Sequence, residues 1–593
     1  MDFYGFYTGK IFDAYQYLGA HTAEYGVVFR TFAPGASHIS VIGEFTQWQE
    51  CPMHRVHDGN FWECYVEHAA SGMMYKYRIY DRNNHFVDHC DPYGYGMELR
   101  PNSASIVCDT WYEFHDQEWM QSRSDRRREA LNIYEVHFGS FRKPSDEADA
   151  WYTYEEMENI LIPYLKENGY NYLEIMPLNE YPCDESWGYQ STGFFSPTSR
   201  YGTMKQLKGF VDACHQNGIG VIMDFVPVHF AVDGYALAHY DGTALYEYPN
   251  EAVGVSEWGS CNFMHSRGEV RSFLQSAANY WLSEYHMDGL RMDAISRAIY
   301  WQGDPGRGVN YGAVEFLKYM NQGLKGIHPA AILAAEDSTS YPGVTEPVSN
   351  GGLGFDYKWD MGWMNDTLNY FRTDPLYRAA DYHKLTFSMM YYYNDRFLLP
   401  LSHDEVVHGK ATIMQKMNGQ YEEKFPQARA FYMYMYAHPG KKLNFMGNEI
   451  GQLREWDEKR EQDWLLLSYP IHDAFHRFMK ELNHIYLEHA ALWEKDYDNE
   501  GFQWLDCHQE ERCIYAFERW SWQEHIVAVF NFSAQEQKYN LPISNAKELH
   551  LLLSSDWEKY GGETPEDDAI LTPENGEVQL TLKPYSAVYY LAV

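Results

Sequence analysis

Between residues 131 and 447, eight short apolar runs have helical segments between most of them, and this alternation limits the folds open to the chain. Strands that alternate with helices favour a parallel sheet, and eight such units predict a central (β/α)8 TIM barrel with enlarged loops. A doubly wound open sheet is the alternative, but no glycine-rich phosphate loop supports it. The runs are LNIYEVHF (131–138), NYLEIMP (171–177), IGVIMDFV (219–226), DGLRMDA (288–294), AILAAE (331–336), FDYKWDM (355–361), FLLPLS (397–402) and KLNFMG (442–447).

Three of the intervening helices are predicted from capping boxes at their first turns. In a capping box, a Ser or Thr precedes a Glu or Gln by three residues, and the two side chains satisfy free backbone N–H groups. The third of these helices also has a core-facing apolar stripe at helical spacing, formed by Val270, Phe273, Leu274, Ala277 and Trp281. The capping pairs are Thr153/Glu156, Thr203/Gln206 and Ser266/Glu269.

Both ends of the chain predict all-β domains. Residues 25–108 contain short alternating runs separated by turn-forming residues, and the same pattern returns from about residue 497. We therefore expect a multidomain protein with an N-terminal β-sandwich (1–110), the barrel (111–490) and a C-terminal antiparallel β-sandwich (491–593).

Composition excludes some partners and favours others. The formal charge of −37 argues against nucleic acid or an anionic membrane as a partner, because both need clustered positive charge. Aromatic residues make up 17% of the chain, which suits stacking on sugar rings, although most aromatic residues fill cores. No apolar window is long enough for a membrane helix, and no secretory signal opens the chain. The nine scattered cysteines predict reduced thiols and a cytoplasmic location.

Acidic residues end several of the predicted strands. Asp224 ends the third run, Asp293 the fourth, Glu336 the fifth, and His403 with Asp404 the seventh. In a barrel, catalytic groups lie at the C-terminal ends of the strands, so these side chains are expected to share one mouth. A nucleophilic carboxylate, a proton-donating carboxyl group and a third acid that holds the sugar are what glycosidic-bond chemistry needs.

Neighbouring residues suggest separate roles for the acids. Arg291 lies two residues before Asp293 on the same strand, so both side chains point to one face and the guanidinium keeps the carboxylate ionised. Glu336 follows an apolar run that is expected to raise its pKa, as a general acid requires. His229 and His403 can donate hydrogen bonds to sugar hydroxyls; they lack metal-ligand spacing, so we predict no metal and no cofactor.

Four segments resemble the signature regions of the α-amylase superfamily. They are DFVPVH (224–229), GLRMDAI (289–295), AAEDS (334–338) and LSHDEVVHGK (401–410), and the last is similar to that of the glycogen (1,4-α-glucan) branching enzymes. Residues 186–203 and 444–464 agree with that subgroup. YLGAH (17–21) and FAPGASHISVIGEFTQW (32–48) are similar to the carbohydrate-binding module that precedes the barrel in branching and debranching enzymes.

The resemblance implies a role for each matching position. It implies Asp293 as nucleophile, Glu336 as general acid/base and Asp404 as the acid that stabilises the distorted sugar. The remaining matches line the subsite of the attacked glucose, where Tyr189 is expected to stack on the ring: Tyr189, Asp224, His229, Arg291 and His403.

Two small departures from the family pattern occur. Val228 replaces a small residue or Asn, and FAPGA lacks a preceding Trp. Neither departure touches a proton-transfer group, so the implied catalytic roles are unaffected.

The implied activity is transfer within a glucan. A retaining mechanism would cleave an internal α-1,4 bond and pass the chain to a glucose 6-hydroxyl, with an α-1,4-glucan (amylose or glycogen) as donor and acceptor and a monomeric enzyme. The alternatives are a hydrolase, either an α-amylase or a debranching enzyme, and a non-catalytic glucan-binding protein. The presence of all three acids and Arg291 speaks against the last.

Overall fold

The eight predicted strands close into a parallel barrel. A computed structural model describes all 593 residues, and in it every predicted run contains one barrel strand. The first and last strands pair, Asn132 with Lys442, so the sheet has no free edge and the TIM-barrel prediction is confirmed over the open sheet. The strands are β1 (Asn132–Val136), β2 (Tyr172–Ile175), β3 (Gly220–Phe225), β4 (Gly289–Met292), β5 (Ile332–Ala335), β6 (Tyr357–Trp359), β7 (Phe397–Leu401) and β8 (Lys441–Phe445).

Eight longer helices lie around and beyond the strands. The capping boxes at Thr153 and Thr203 are both present at helix starts, as predicted. The helices are α1 (Tyr154–Glu167), α2 (Met204–Gln216), α3 (Gly268–Glu284), α4 (Tyr311–Ile327), α5 (Met361–Arg372), α6 (His383–Tyr391), α7 (Tyr421–Ala437) and α8 (Pro470–Glu488). Short helices span Phe3–Tyr7, Gln117–Ser122, Phe138–Phe141, Glu251–Gly254, Ile295–Ile299 and Ile413–Lys416.

The predicted capping box at Ser266 is wrong. Helix α3 begins at Gly268, its N-cap is Arg267, and no side chain caps it. The cause is tertiary packing: a Cβ at Gly268 would lie 1.8 Å from the carbonyl oxygen of Tyr7, so the N-terminal segment lies directly against this turn. The predicted apolar stripe of α3 is buried in full, as expected.

One barrel unit lacks its helix. Between β5 and β6, residues 336–356 form a loop with a single 3-10 turn, Val348–Asn350, and the next α-helix begins only after β6.

The N-terminal sandwich consists of two small sheets. One sheet orders Gly19–Ala23, Gly26–Phe32, Phe61–Glu67 and His54–Val56; the other orders Cys51–Pro52, His38–Gly43, Met74–Tyr80 and Phe86–His89, with Ser105–Ile106 also on Met74–Tyr80. The residues before these sheets pack on the barrel instead, since Ser272 and Asn279 of α3 donate hydrogen bonds to the carbonyl groups of Phe6 and Phe12, at 2.9 and 2.8 Å.

The C-terminal sandwich packs a six-stranded sheet against a two-stranded one. The larger sheet orders Phe502–Gln509, Ile514–Trp520, His525–Asn531, Ser586–Ala592, Leu549–Ser554 and Ile570–Leu571. The smaller sheet pairs Gln537–Pro542 with Glu577–Leu582. Buried Asp496 joins this domain to the barrel through Arg519 (2.7 Å) and Lys441 (3.0 Å).

The three domains occur in the predicted order. Every sheet falls inside 1–110, 111–490 or 491–593, whose exact boundaries stay a prediction. None of the helices is both long enough and apolar enough to cross a membrane.

Candidate active site

The barrel interior has an apolar floor with a charged layer above it. Side chains two residues apart on a strand face the same way, so Ile133 of β1 lies below Glu135, and Tyr172 of β2 lies below Glu174. The floor residues form one buried cluster, and the charged layer stands at the carboxyl ends of the strands. The floor comprises Leu131, Ile133, Tyr172, Ile222, Ile332, Ala334, Tyr357, Trp359, Leu398 and Leu443.

Arg291 is the hub of the charged layer. Its Nη1 donates to Asp224 at 3.0 Å and to Asp293 at 2.9 Å, and its Nη2 lies 3.3 Å from Glu336. The guanidinium is fully buried and lies over the ring of Trp359, 4.1 Å from the centroid. Because one cation contacts three carboxyl groups, it fixes their relative positions and favours their ionised forms.

Glu336, just beyond β5, has the electrostatics of a proton donor. Burial raises its pKa to about 8, with Asp293 and Asp404 adding to the shift and Arg291 opposing it. Its Oε2 accepts a hydrogen bond from the backbone N–H of Ala294 at 2.8 Å. Ala294 has φ +52°, an uncommon conformation for a residue with a Cβ, which aims that N–H at the carboxyl group. Glu336 is therefore mostly protonated at neutral pH.

Asp293 and Asp404 face the cleft with different surroundings. Burial raises the pKa of Asp293 and Arg291 opposes that rise. Burial would also raise the pKa of Asp404, but His403 and Arg291 outweigh it and the pKa is lowered. The side chain of Asp404 is 42% exposed, against 15% for Asp293, so Asp404 is the more open of the two. Asp404 thus stays ionised at neutral pH and can oppose positive charge that develops on a sugar.

A buried acid that the sequence analysis missed, Glu135 of β1, holds His403. It accepts hydrogen bonds from both the backbone N–H (3.0 Å) and Nδ1 (2.5 Å) of His403. Burial alone would lower the pKa of His403, but Asp404 and Glu135 raise it to about 9. His403 is therefore a cation at neutral pH, with Nε2 3.5 Å from Asp404.

Tyr189 lies between the charged layer and the cleft. Its ring stacks on that of His403, with centroids 5.5 Å apart and planes at 20°, and its hydroxyl donates to Asp224 Oδ2. One face of the ring is thus supported by an imidazole, and the residue also lines the cleft. This position suits a platform for a sugar ring.

His229 is buried at the cleft wall beside the ring of Trp258, with centroids 5.2 Å apart. Burial lowers its pKa to about 4, so the ring is neutral, and its Nδ1 has no hydrogen-bond partner. A neutral imidazole with a free nitrogen can bond a sugar hydroxyl.

The cleft has a volume of about 410 Å³ and brings together most of the predicted residues. Asp224 and Arg291 differ from the rest, because both are fully buried beneath the cleft. Several lining residues were missed because they come from loops without a strand-end pattern. The lining consists of Glu185, Ser186, Trp187, Tyr189, Gln190, His229, Trp258, Asp293, Ala294, Ser296, Arg297, Glu336, Ser338, His403, Asp404 and His408.

Glu135, Glu174 and Asp224 form the one carboxylate cluster in the chain with metal-like spacing, their oxygens lying within 4.8 Å of one another. Glu135 is already committed to His403, and Asp224 Oδ2 to Arg291 and Tyr189. Burial, followed by the charges of Asp224 and Glu135, raises the pKa of Glu174 well above its usual value, which favours its protonated form. A proton and hydrogen bonds thus account for this cluster.

Three family models match the chain in the order of its domains. Residues 17–94 match carbohydrate-binding module 48 (isoamylase N-terminal domain). Residues 160–241 match the alpha amylase catalytic domain, and residues 504–593 match the alpha amylase C-terminal all-beta domain.

Curated relatives are similar over nearly the whole chain. The 1,4-alpha-glucan branching enzyme GlgB of Fusobacterium nucleatum is 43% identical, covering 95% of this chain and 92% of the relative. The enzyme of the same name from Halothermothrix orenii is 40% identical, over 99% and 98%. That from Bacillus cytotoxicus is 42% identical, over 94% and 88%.

Solved structures share the fold at lower identity. A pullulanase from Anoxybacillus sp. LM18-11, complexed with maltotetraose, gives a TM-score of 0.74 at 17% identity, covering 97% of this chain and 87% of that one. A pullulanase from Bacillus acidopullulyticus gives 0.73 at 15% identity, covering 97% and 74%. These two likenesses concern the architecture alone.

Proposed function

The chain belongs to the family of the 1,4-α-glucan branching enzymes, and we propose that it builds α-1,6 branches by a double displacement at Asp293 and Glu336. The observation that carries this proposal is the contact of one buried guanidinium, that of Arg291, with both residues. Because one cation contacts both carboxyl groups, both can reach the same glycosidic bond, which supports Asp293 as nucleophile and Glu336 as proton donor.

In the first step, the two carboxyl groups act together on an internal α-1,4 bond. A carboxylate oxygen of Asp293 attacks the anomeric carbon while Glu336 gives its proton to the leaving oxygen. The bond from carbon to the leaving oxygen breaks, the shortened chain departs with a new hydroxyl, and a glycosyl ester forms on Asp293. Asp404, ionised and open to the cleft, stabilises the positive charge of the transition state.

The second step reverses the first with a different oxygen. Glu336, now a carboxylate, takes the proton of a glucose 6-hydroxyl, whose oxygen attacks the anomeric carbon. The ester bond breaks, Asp293 is restored, and an α-1,6 linkage results. Two inversions at one carbon retain its configuration.

The arrangement of the acids supports retention. Inverting glycosidases hold their carboxyl groups about 6.5–9.5 Å apart to leave room for water, whereas retaining enzymes hold them about 5–5.5 Å apart. A single guanidinium that contacts both Asp293 and Glu336 favours the shorter separation.

Binding of a sugar acceptor beside the ester decides between transfer and hydrolysis, because water reacts by the same route. The donor and acceptor in this proposal are α-1,4-glucans, which suits a cleft walled by Trp187, Tyr189 and Trp258. We further propose a monomer in the cytoplasm, where the nine free cysteines would remain reduced.

Incubation with amylose tests the function. Proton NMR would follow α-1,6 anomeric signals while a reducing-sugar assay follows chain ends. Rising branch signals with constant reducing ends are the expected result. Rising reducing ends would instead indicate a hydrolase, and binding with no change in either would indicate a non-catalytic protein.

A further inference from the structure

A second cavity, of about 550 Å³, adjoins the active-site cleft. It lies where the barrel unit between β5 and β6 lacks a helix, and the loop after Glu336 forms one of its walls. Ser338, two residues beyond the general acid, lines both this cavity and the cleft. The opposite wall comprises the start of α5 together with Tyr391 and Asn394. A volume of this size lies within the range of small-ligand sites.

Asp360, which lines this cavity, has an unused hydrogen-bond acceptor just beneath the cavity surface. Asp360 is 1% exposed; its Oδ1 accepts from the backbone N–H of Trp363 and the hydroxyl of Tyr391, both at 2.8 Å, but its Oδ2 has no partner. Burial raises the pKa of Asp360 to about 6, as expected for a carboxylate short of partners. Leaving such a group unpaired is unfavourable, so a ligand hydroxyl that donates to it would be bound favourably.

Aromatic and apolar side chains extend the cavity outwards along α6. Tyr391 lines the cavity, and its ring lies 5.7 Å from that of Phe387, which is 55% exposed. Met390, on the same helix, is 81% exposed. Aromatic faces next to polar acceptors are the surface that a sugar chain needs, because its C–H faces stack and its hydroxyls donate.

We propose that this cavity binds the acceptor glucan. The inference rests on the proposed function, in which Glu336 removes the proton of the acceptor's 6-hydroxyl, so the acceptor must approach beside Glu336. The cavity begins at the next residue, since Asp337 and Ser338 line it. Its acidic lining, Asp337, Asp360 and Asp395, disfavours an anionic ligand and suits a neutral one that offers hydroxyl donors.

The test separates formation of the glycosyl ester from its transfer. α-Maltotriosyl fluoride serves as donor, because loss of fluoride needs no sugar in the acceptor position, and maltohexaose serves as acceptor. Fluoride release reports the first step, and chromatography of the products gives the ratio of transfer to hydrolysis. The variant Ser340→Trp places a bulky ring at an exposed position on the cavity wall. Its control, Ser349→Trp, makes the same change at an exposed position of the same loop that does not line the cavity.

For Ser340→Trp we expect the ratio of transfer to hydrolysis to fall at least tenfold, and for Ser349→Trp we expect it to stay unchanged. A second variant, Asp360→Ser, retains an N-cap for α5 but removes Oδ2, and should raise the maltohexaose concentration for half-maximal transfer about tenfold. Unchanged ratios in both cavity variants would overturn the acceptor site. No fluoride release from the unmodified protein would instead overturn the proposed function and, with it, the acceptor site.

Discussion

Replacement by Gln should lower activity strongly at one of two buried glutamates and only slightly at the other, although both lie at the same level of the barrel. Glu135 and Glu174 are paired neighbours on β1 and β2, and both are buried. Glu135 accepts two hydrogen bonds from His403, whereas burial and nearby acids raise the pKa of Glu174 well above its usual value and favour its protonated form. Replacement by Gln preserves shape, so Glu135→Gln removes a charge while Glu174→Gln mimics the form already present.

The size of the effect follows from the bonds to His403. A hydrogen bond between charged groups contributes about 1.5–3 kcal/mol. Its loss from the transition state would lower kcat/KM by about 10-fold to 150-fold, at 1.36 kcal/mol per factor of ten. For Glu174→Gln the same quantity should fall by no more than about threefold, since one neutral hydrogen-bonding group replaces another.

The pH profile provides a second signature. In the unmodified protein Glu336, with a pKa of about 8, loses its proton before His403, with a pKa of about 9. Without the charge of Glu135, only Asp404 offsets the effect of burial, so the pKa of His403 falls. Earlier loss of this cation removes a positive charge 3.5 Å from Asp404, so the alkaline limb of kcat/KM should move to lower pH.

Initial rates on amylose, followed by loss of iodine-complex absorbance from pH 5 to 10, would measure both effects. Thermal unfolding of each variant checks that the barrel is intact. If Glu135→Gln has the same kcat/KM and the same alkaline limb as the unmodified protein, Glu135 does not support catalysis through His403. A loss in Glu174→Gln as large as that in Glu135→Gln would refute the distinction between them.

Three further predictions concern the acid, the hub and the domain junction. In the unmodified protein, kcat/KM should fall above pH 8 because Glu336 loses the proton it must donate. Glu336→Gln should lower the branching rate by a factor of about 10²–10⁴ and should abolish this fall at alkaline pH. Rates measured as a function of pH would test both. Trp359→Leu should lower kcat about tenfold by removing the ring beneath Arg291, whereas Trp359→Phe, which keeps a ring, should lower it less; steady-state kinetics would compare the two. Asp496→Ala leaves Lys441 and Arg519 buried without an anion, so urea denaturation should show a loss of about 3–5 kcal/mol.

Sequence patterns predicted the fold well because they reflect local physics. Each barrel strand is a run of buried residues, and Thr153 and Thr203 cap helices through bonds within a single turn. Ser266 failed because its helix start depends on Tyr7, which is distant in sequence and close in space.

Site residues were predictable from the sequence where an acid ends a strand. They were not predictable where a residue's role depends on a partner from another strand. Glu135 lies inside a run read only as apolar, and its function becomes visible only through its bonds to His403. The period of two on β1 places Glu135 above Ile133 on the inner face, which is the signal that could have found it. The cavity beside Glu336 lies where one barrel unit has no helix, and no single residue in the sequence indicates that this helix is absent.

The proposed glycosyl ester on Asp293 can be tested for by trapping the ester. In the Glu336→Gln variant, α-maltotriosyl fluoride can still glycosylate Asp293, because fluoride leaves without a proton donor, but no base remains to activate the second nucleophile. The ester should therefore accumulate.

Peptide mass spectrometry of that variant after brief incubation is the direct measurement. We expect a maltotriosyl group on the peptide that contains Asp293, and its absence in the double variant that also carries Asp293→Ala. A sugar on another residue, or fluoride release with no modified peptide in a rapidly quenched sample, would contradict the assignment of Asp293 as the nucleophile.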